Sequence, residues 1–173
     1  NQGDVFTIPF CQDIIFKSKY ADILWANDEA IIDYLGVVPN CQRFESTYYS
    51  HEKLVNFVRN VNLEDNSSER NRNGVLLSNQ QMVREKTNTL THTMWSLLNV
   101  IGPNTIQKPH RHNSIAIDLC ISAERNKVYT LMGKELNEDG TVKNPIKRYW
   151  QTNTMFITPP GWWHSHHHAY NSA

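Results

Sequence analysis

Apolar and polar residues alternate differently in the two parts of this chain. Residues 4–9 (DVFTIP) and 20–25 (YADILW) are rich in β-branched and aromatic residues and bounded by Gly3, Pro9 and Asn27, which predicts two short strands. In the NDEAIIDYLGVVP that follows, Asn27 can cap a short helix, acidic residues fill its first turn, and Gly36 with Pro39 ends it. Leu54, Phe57, Val58 and Val61 recur at helical spacing behind Ser50 and predict a second helix. Residues 62–74 (NLEDNSSERNRNG) have almost nothing to bury and read as an exposed loop or a nicked linker. From Gly74 onward the chain becomes a series of short β-like runs: GVLLSN, THTMWSLLNVI, SIAIDLCIS, KVYTLM, IKRYWQ and TMFITP, parted by turn signals at IGPN, GKELNEDGT and PPG. Strands at this spacing predict an all-β fold, a barrel or jelly roll, with the two short helices outside it.

The pattern also repeats. Setting Pro9 against Pro159 pairs Phe6 with Phe156 and Val5 with Met155, so both segments read as a strand ending in a proline-led turn. The offset is about 150 residues, the size of one domain. Ile14 then falls opposite His164.

Composition narrows the function. The 173 residues carry 17 Lys+Arg against 17 Asp+Glu, enough chain for one globular domain or for pieces of two. That balance argues against a nucleic-acid or anionic-membrane partner. The hydrophobic fraction of 39% can close a core. No apolar run approaches the ~18 residues of a membrane span. The opening NQGDVFTIPF lacks the charged start and apolar centre of a signal peptide. Cys11, Cys41 and Cys120 are widely spaced without a CxxC, which predicts neither a disulfide framework nor a zinc knuckle and points to a reducing, cytoplasmic compartment. The one excess is eight histidines, most of them in two short clusters towards the C-terminal end.

Those clusters are Pro109-His110-Arg111-His112, after a Gly102-Pro103 turn, and Trp163-His164-Ser165-His166, after Thr158-Pro159-Pro160-Gly161-Trp162. In a strand, residues two apart project to the same face about 6.6 Å apart, so His110 and His112 can converge on one metal. His164, beyond the Pro-Pro-Gly turn, is the natural supplier of a third imidazole. Three neutral imidazoles leave coordination positions open, as in catalytic rather than structural sites. The same parity puts Ser114, Ala116, Asp118 and Cys120 on the histidine face, small and polar enough for a substrate cavity. Ile115, Ile117, Leu119 and Ile121 form an opposite face suited to another sheet, a second barrel or a partner subunit. Other readings stay open: an HxH can be two satisfied or exposed histidines, and His166, His167 and His168 a solvated run or an adventitious metal-binding tail. Cys120 has no helix N-terminus or placed base beside it and reads as a buried, inert thiol.

These residues resemble the cupin superfamily, whose two motifs are a Gly-turn-HxH strand and a Pro-Gly-turn-His strand. Within it, TLTHTMWSLLNVIGPNTIQKPHRHNSIAIDLCIS and FITPPGWWHSH are similar to the gentisate 1,2-dioxygenase-like branch, which includes salicylate and 1-hydroxy-2-naphthoate dioxygenases. That branch carries PxHRHxxxA followed by TPxWxWHxH. His110, Arg111, His112 and Ala116 match the first, with Pro109 one position nearer the histidine than that pattern has it, and Thr158, Pro159, Trp163, His164 and His166 match the second. The resemblance covers the chain from about Gly74 to its end. It implies a bicupin built of double-stranded β-helix (jelly-roll) barrels with a few short flanking helices. Residues 1–36 would be the tail of a degenerate first cupin with Ile14 at its ligand position, 37–73 a helical and linker segment, and 74–173 the metal-binding barrel. In the better-known members the first barrel holds the iron, so a metal in the second departs from the pattern.

The resemblance further implies Fe(II) on His110, His112 and His164, with zinc or nickel as other divalent occupants. The Glu that many cupins add is missing, and Ile117 and Asp118 occupy its region. The reaction implied is cleavage of a hydroxylated aromatic acid by dioxygen, between the carboxyl- and hydroxyl-bearing carbons, in a homo-oligomer. His166 would be an acid/base group beside the metal and Trp95 a cavity tryptophan. Asn99 falls where the family places a Gln that contacts substrate or oxygen. Asp118 falls where it places an Arg that pairs with the substrate carboxylate. A carboxylate there repels an anionic ring acid, which points to a neutral or amine-bearing ligand, to lost activity, or to a substitute cation among Arg72, Arg125 and Arg148. A metal-binding cupin without redox chemistry, or an isomerase or lyase on the same His cage, are the competing classes. On this resemblance the chain begins inside one cupin's second motif and stops just beyond the next one's. Residues beyond His168, a strand at 21–25 or a partner chain are then expected to close the second barrel.

Overall fold

The structure, a computed structural model, describes residues 1–10, 14–67 and 70–169. Among the described residues it is a β-rich fold of short strands with a few short helices, and none of its sheets closes on itself. The chain divides into two compact units: Gly3–Val55 with Val75–Leu98, and Asn56–Gly74 with Asn99–Ala173, which takes in Gln2. No helix among the described residues is long and apolar enough to cross a membrane.

In the first unit β1 (Val5–Thr7) pairs antiparallel with β2 (Thr47–Tyr49), Val5 opposite Tyr49. The Asp4 carboxylate accepts the His51 N–H and the Tyr48 hydroxyl, both at 2.8 Å. The His51 bond first, then those from the N-terminal ammonium and Tyr48, hold Asp4 down to about 2. Helix α1 (Glu29–Leu35) forms where expected, but its N-cap is Asp28 rather than Asn27 and makes no side-chain cap bond; Asn27 Oδ1 accepts the Glu29 N–H, and Gly36 ends the helix in the left-handed region at φ 63°. Helix α2 (His51–Asn62) starts behind Ser50 as its spacing predicts and buries Leu54 and Val58, whereas Phe57 is exposed.

Two local expectations differ from the structure. Residues 20–25 form no strand, and Ile23, Leu24 and Trp25 are exposed. YADILW has apolar residues on both parities but no paired edge, so nothing offsets the cost of extending it. GVLLSN yields only β3 (Gly74–Leu76), because the Asn79 side chain accepts the N–H groups of Gln81 and Met82 and turns the chain into α3 (Gln80–Arg84). Strand β4 (Leu97–Asn99), which pairs with β3, is all that forms of the run predicted over 91–101.

In the second unit, strands form at the remaining β-like runs. Strand β6 (Val128–Gly133) lies between β7 (Ile146–Tyr149) and β9 (Trp163–His168), both antiparallel to it. Strand β5 (Ala116–Leu119) pairs with β8 (Met155–Thr158), Asp118 opposite Phe156. The alternation expected on β5 is present: Ala116 and Asp118 are half-buried, and Ile117 and Leu119 are exposed beside their partners Ile157 and Met155. The HxH is not part of a regular strand. His110 makes an isolated bridge to His164, and Pro109 before it has no N–H to extend a ladder.

Gly133 sits where β6 meets Trp163 of β9. A Cβ there would stand 2.7 Å from Val142 Cγ1 and 2.8 Å from the Lys143 carbonyl oxygen. Backbone cannot swing aside as a side chain can. Gly133→Ala is expected to destabilise the protein by about 1–3 kcal/mol, read as a lower denaturant midpoint; an unchanged midpoint shows that the end of β6 can shift freely.

Candidate metal centre

The pairing of β6 with β9 positions the site. Thr130 lies opposite His166 and Met132 opposite His164. Strand periodicity puts His164, His166 and His168 on one face, and all three are buried, together with Thr130 and Met132. The segment before the HxH runs along the other edge of β9. His110 and His164 exchange both backbone hydrogen bonds, at 3.0 and 2.9 Å, and the Gln107 N–H reaches the His166 carbonyl at 2.9 Å. Between the bridges Ile106–His167 and His110–His164 this segment has one residue more than β9, a bulge that re-aims His110. The Asn71 side chain fixes the segment at two points, donating to the Lys108 carbonyl and accepting the Lys108 N–H.

Four imidazoles meet here. Ring centroids lie 4.1 Å apart for His110 and His164, 5.1 Å for His112 and His164, 5.7 Å for His164 and His166, and 6.1 Å for His110 and His166. His110, His164 and His166 each present a ring nitrogen within 4.8 Å of the others, a group able to hold a metal ion. His112 stands beside it, 6.4 Å from His110 by centroid. It also lines a cavity of about 340 Å³ with Arg111, Asn113 and Gly161.

Hydrogen bonds fix the protons on three of these rings. His110 Nδ1 meets the Lys108 carbonyl at 3.4 Å, His112 Nδ1 the Ser114 carbonyl at 2.9 Å and the Ser114 hydroxyl at 3.1 Å, and His164 Nδ1 the Trp162 carbonyl at 3.3 Å. A carbonyl only accepts, so each Nδ1 carries the proton and each Nε2 keeps its lone pair. His110 Nε2 is buried with no hydrogen-bond partner. That orphaned atom, beside the ring nitrogens of His164 and His166, fits a metal ion. Burial, with the neighbouring His164, pushes His110 down to about 4. Burial, with the rings of His164 and His110, pushes His166 down to about 3, and burial lowers His164 as well. At neutral pH these three rings are neutral and able to ligate.

The other residues singled out by sequence are placed as follows. Asp118 is half-buried, its Oδ2 has no partner, and burial pushes its carboxyl up to about 6 against the pull of His112 and Arg72. Asn99 exchanges amide hydrogen bonds with the buried Gln107, at 3.3 and 3.5 Å. Trp95 is exposed and belongs to the first unit, whereas the histidines belong to the second. Of the three candidate cations, Arg72 acts electrostatically on His110, His164, His166 and Asp118. Arg125 lines a separate cavity with Trp150, and Arg148 is exposed on β7. The last two histidines are not a solvated tail: His167 stacks on Tyr129 at 4.8 Å, and His168 Nδ1 meets the Ile101 carbonyl at 3.1 Å. Cys120 is a buried free thiol pushed up by burial, and Cys41 is free and exposed; Cys11 and Ile14's neighbours Gln12 and Asp13 lie outside the described residues.

Sequence reasoning missed Thr130 and Trp150. Thr130 Oγ1 lies 2.8 Å from His166 Nδ1 and accepts the Trp150 indole N–H at 2.8 Å. The only signal was the position of Thr130 on one parity of KVYTLM, which becomes informative once its register with β9 is known.

No family model, curated protein or solved structure matches the chain.

Asp118 yields a prediction with a definite sign. Its carboxyl titrates higher in the folded protein than in the unfolded chain, so the charge costs stability at pH above about 6 and that cost fades as pH falls towards 3.8. Asp118→Asn is expected to raise the stability of the metal-free protein at pH 7.5 by about 1–3 kcal/mol and to leave it near wild type at pH 4. Equal effects at the two pH values would show that the carboxylate carries no burial penalty.

Proposed function

We propose that the second unit carries a mononuclear metal centre on His110, His112 and His164, and that it serves an Fe(II)-dependent dioxygenase acting on a hydroxylated aromatic acid. In this reading the chain is a cupin of the gentisate dioxygenase-like kind, with β5–β8 and β7–β6–β9 as parts of the walls of a jelly-roll barrel. The observation that carries it is the set of three Nδ1–H to carbonyl hydrogen bonds, which turns three neutral imidazoles into Nε2 donors. Further coordination positions are then left for substrate and dioxygen, as catalytic sites require. Iron, when bound, orients a chelating ring acid and dioxygen and stabilises negative charge developing on oxygen.

The surrounding residues supply the rest. Arg72 provides the positive field that an acidic ligand needs and opposes the charge of Asp118. His166 holds a proton near the reacting oxygens. The cavity beside His112 gives the substrate a way in. The exposed Ile117, Leu119, Met155 and Ile157 supply the apolar face on which a homo-oligomer would form. One observation favours a second reading. An unpartnered buried carboxylate at Asp118 suits a neutral or amine-bearing ligand, as in a metal-binding protein without redox chemistry, an isomerase or a lyase.

Anaerobic reconstitution with Fe(II), followed by oxygen uptake with salicylates, gentisate and hydroxynaphthoates, separates the two. Uptake that depends on the ring acid is expected, and His110→Ala or His164→Ala is expected to lose both the metal and the uptake. No uptake with any ring acid, together with tight zinc or nickel occupancy, assigns the site to the second reading. Metal content that survives both substitutions rules out the ligand set.

A further inference from the structure

The histidine cluster offers one imidazole more than an open metal site needs, and the contact between β6 and β9 distinguishes that ring from the others. His110, His112 and His164 each meet a backbone carbonyl through Nδ1, His112 with the Ser114 hydroxyl beside that carbonyl at 3.1 Å, but His166 Nδ1 meets a hydroxyl alone, that of Thr130 at 2.8 Å. A hydroxyl has one hydrogen and two lone pairs. One lone pair takes the Trp150 indole N–H, which can only donate. Thr130 is fully buried, and its hydroxyl has no other partner among the described residues.

Thr130 also approaches no carbonyl through that oxygen, so two proton arrangements remain. If His166 Nδ1 carried a proton, both lone pairs of Oγ1 would be filled by donors and the hydroxyl hydrogen would be buried without an acceptor. A buried polar hydrogen left without an acceptor forfeits the hydrogen bond it would make with water in the unfolded chain. If the hydroxyl donates to Nδ1 instead, all three groups are satisfied, and an imidazole whose Nδ1 accepts carries its proton on Nε2.

We propose that Thr130 and Trp150 are positioning residues that hold His166 in its Nε2–H form, which makes it a hydrogen-bond donor beside the metal and leaves the third ligand position to His112. The proposal deepens the metal-centre reading. On this proposal His166 stays out of the ligand set although its ring nitrogen lies within 4.8 Å of those of His110 and His164. A ring held with N–H towards the site offers no lone pair to a cation in that tautomer, whereas it can donate to an anionic oxygen held there.

Long-range 1H–15N NMR of the metal-free protein tests the proton arrangement, with the His166 ring assigned by its disappearance in His166→Gln. The expected wild-type spectrum has Nε2 protonated and Nδ1 unprotonated on this ring alone of the four. Thr130→Val is expected to shift the pattern towards Nδ1–H, and Thr130→Ser, which keeps the hydroxyl, to restore it. A protonated Nδ1 on His166 in the wild type overturns the proposal, however the variants fold. Zn(II) is then added to the wild type. Coordination shifts at Nε2 of His110, His112 and His164, with His166 still protonated, are expected, and zinc on His166 overturns the proposal. If zinc shifts none of the rings, the metal-centre reading fails while the wild-type proton pattern still decides the tautomer.

Discussion

Several imidazoles can share a small buried volume only if no two of them direct protons at each other. Everything else about the second unit follows from that constraint. A protonated pair of rings 4.1 Å apart would face strong repulsion in a poorly solvated site. Burial lowers the proton affinity of His110, His164 and His166, and the hydrogen-bond partner of each Nδ1 then decides where a ring's remaining proton sits. His110 and His164 each use the carbonyl two residues before them, and His112 the one two residues after. These are local bonds, made within the same short segments that carry the rings, so the tautomer is set by the chain's own path.

That path is held by non-local pairing. The ladder from Val128–His168 to Gly133–Trp163 fixes which β6 side chain stands beside each β9 histidine. The mutual bonds between His110 and His164 bring in the second cluster, and the bulge before His110 with the two-point hold of Asn71 on Lys108 set its approach. Thr130 matters for the same reason: a slip of one residue would turn it to the other face and leave His166 without its partner. Asp118, half-buried and unpartnered, and Arg72, whose field reaches it and the three buried rings, give the site opposing charges. A ligand that satisfied both would relieve a strain that the protein carries alone.

Much of this was legible in the sequence. The strand runs in the second unit, the Gly36 end of α1, the start of α2, the alternation on β5 and the two histidine clusters all rest on local periodicity or turn chemistry, which a single chain displays. The bare apolar side of β5 and β8 was legible as well, from Ile117 and Leu119. What could not be read depends on partners distant in sequence. Residues 20–25 have strand composition and no ladder, and Asn79 turns into α3 what composition alone would extend. Parity places His110 with His112 and His164 with His166 equally well, so spacing alone cannot separate the ligands from the donor. The separation we propose rests on Thr130 and Trp150, which lie 36 and 16 residues from His166 and meet it only through the register.

The central claim is an open centre of three imidazoles with a fourth kept out by its own proton. X-ray absorption at the zinc edge of the zinc-loaded protein measures it most directly, because the multiple scattering of imidazole rings counts them. The account predicts three imidazoles and at least one lighter oxygen ligand. Four imidazoles, or a first shell without three, would contradict it.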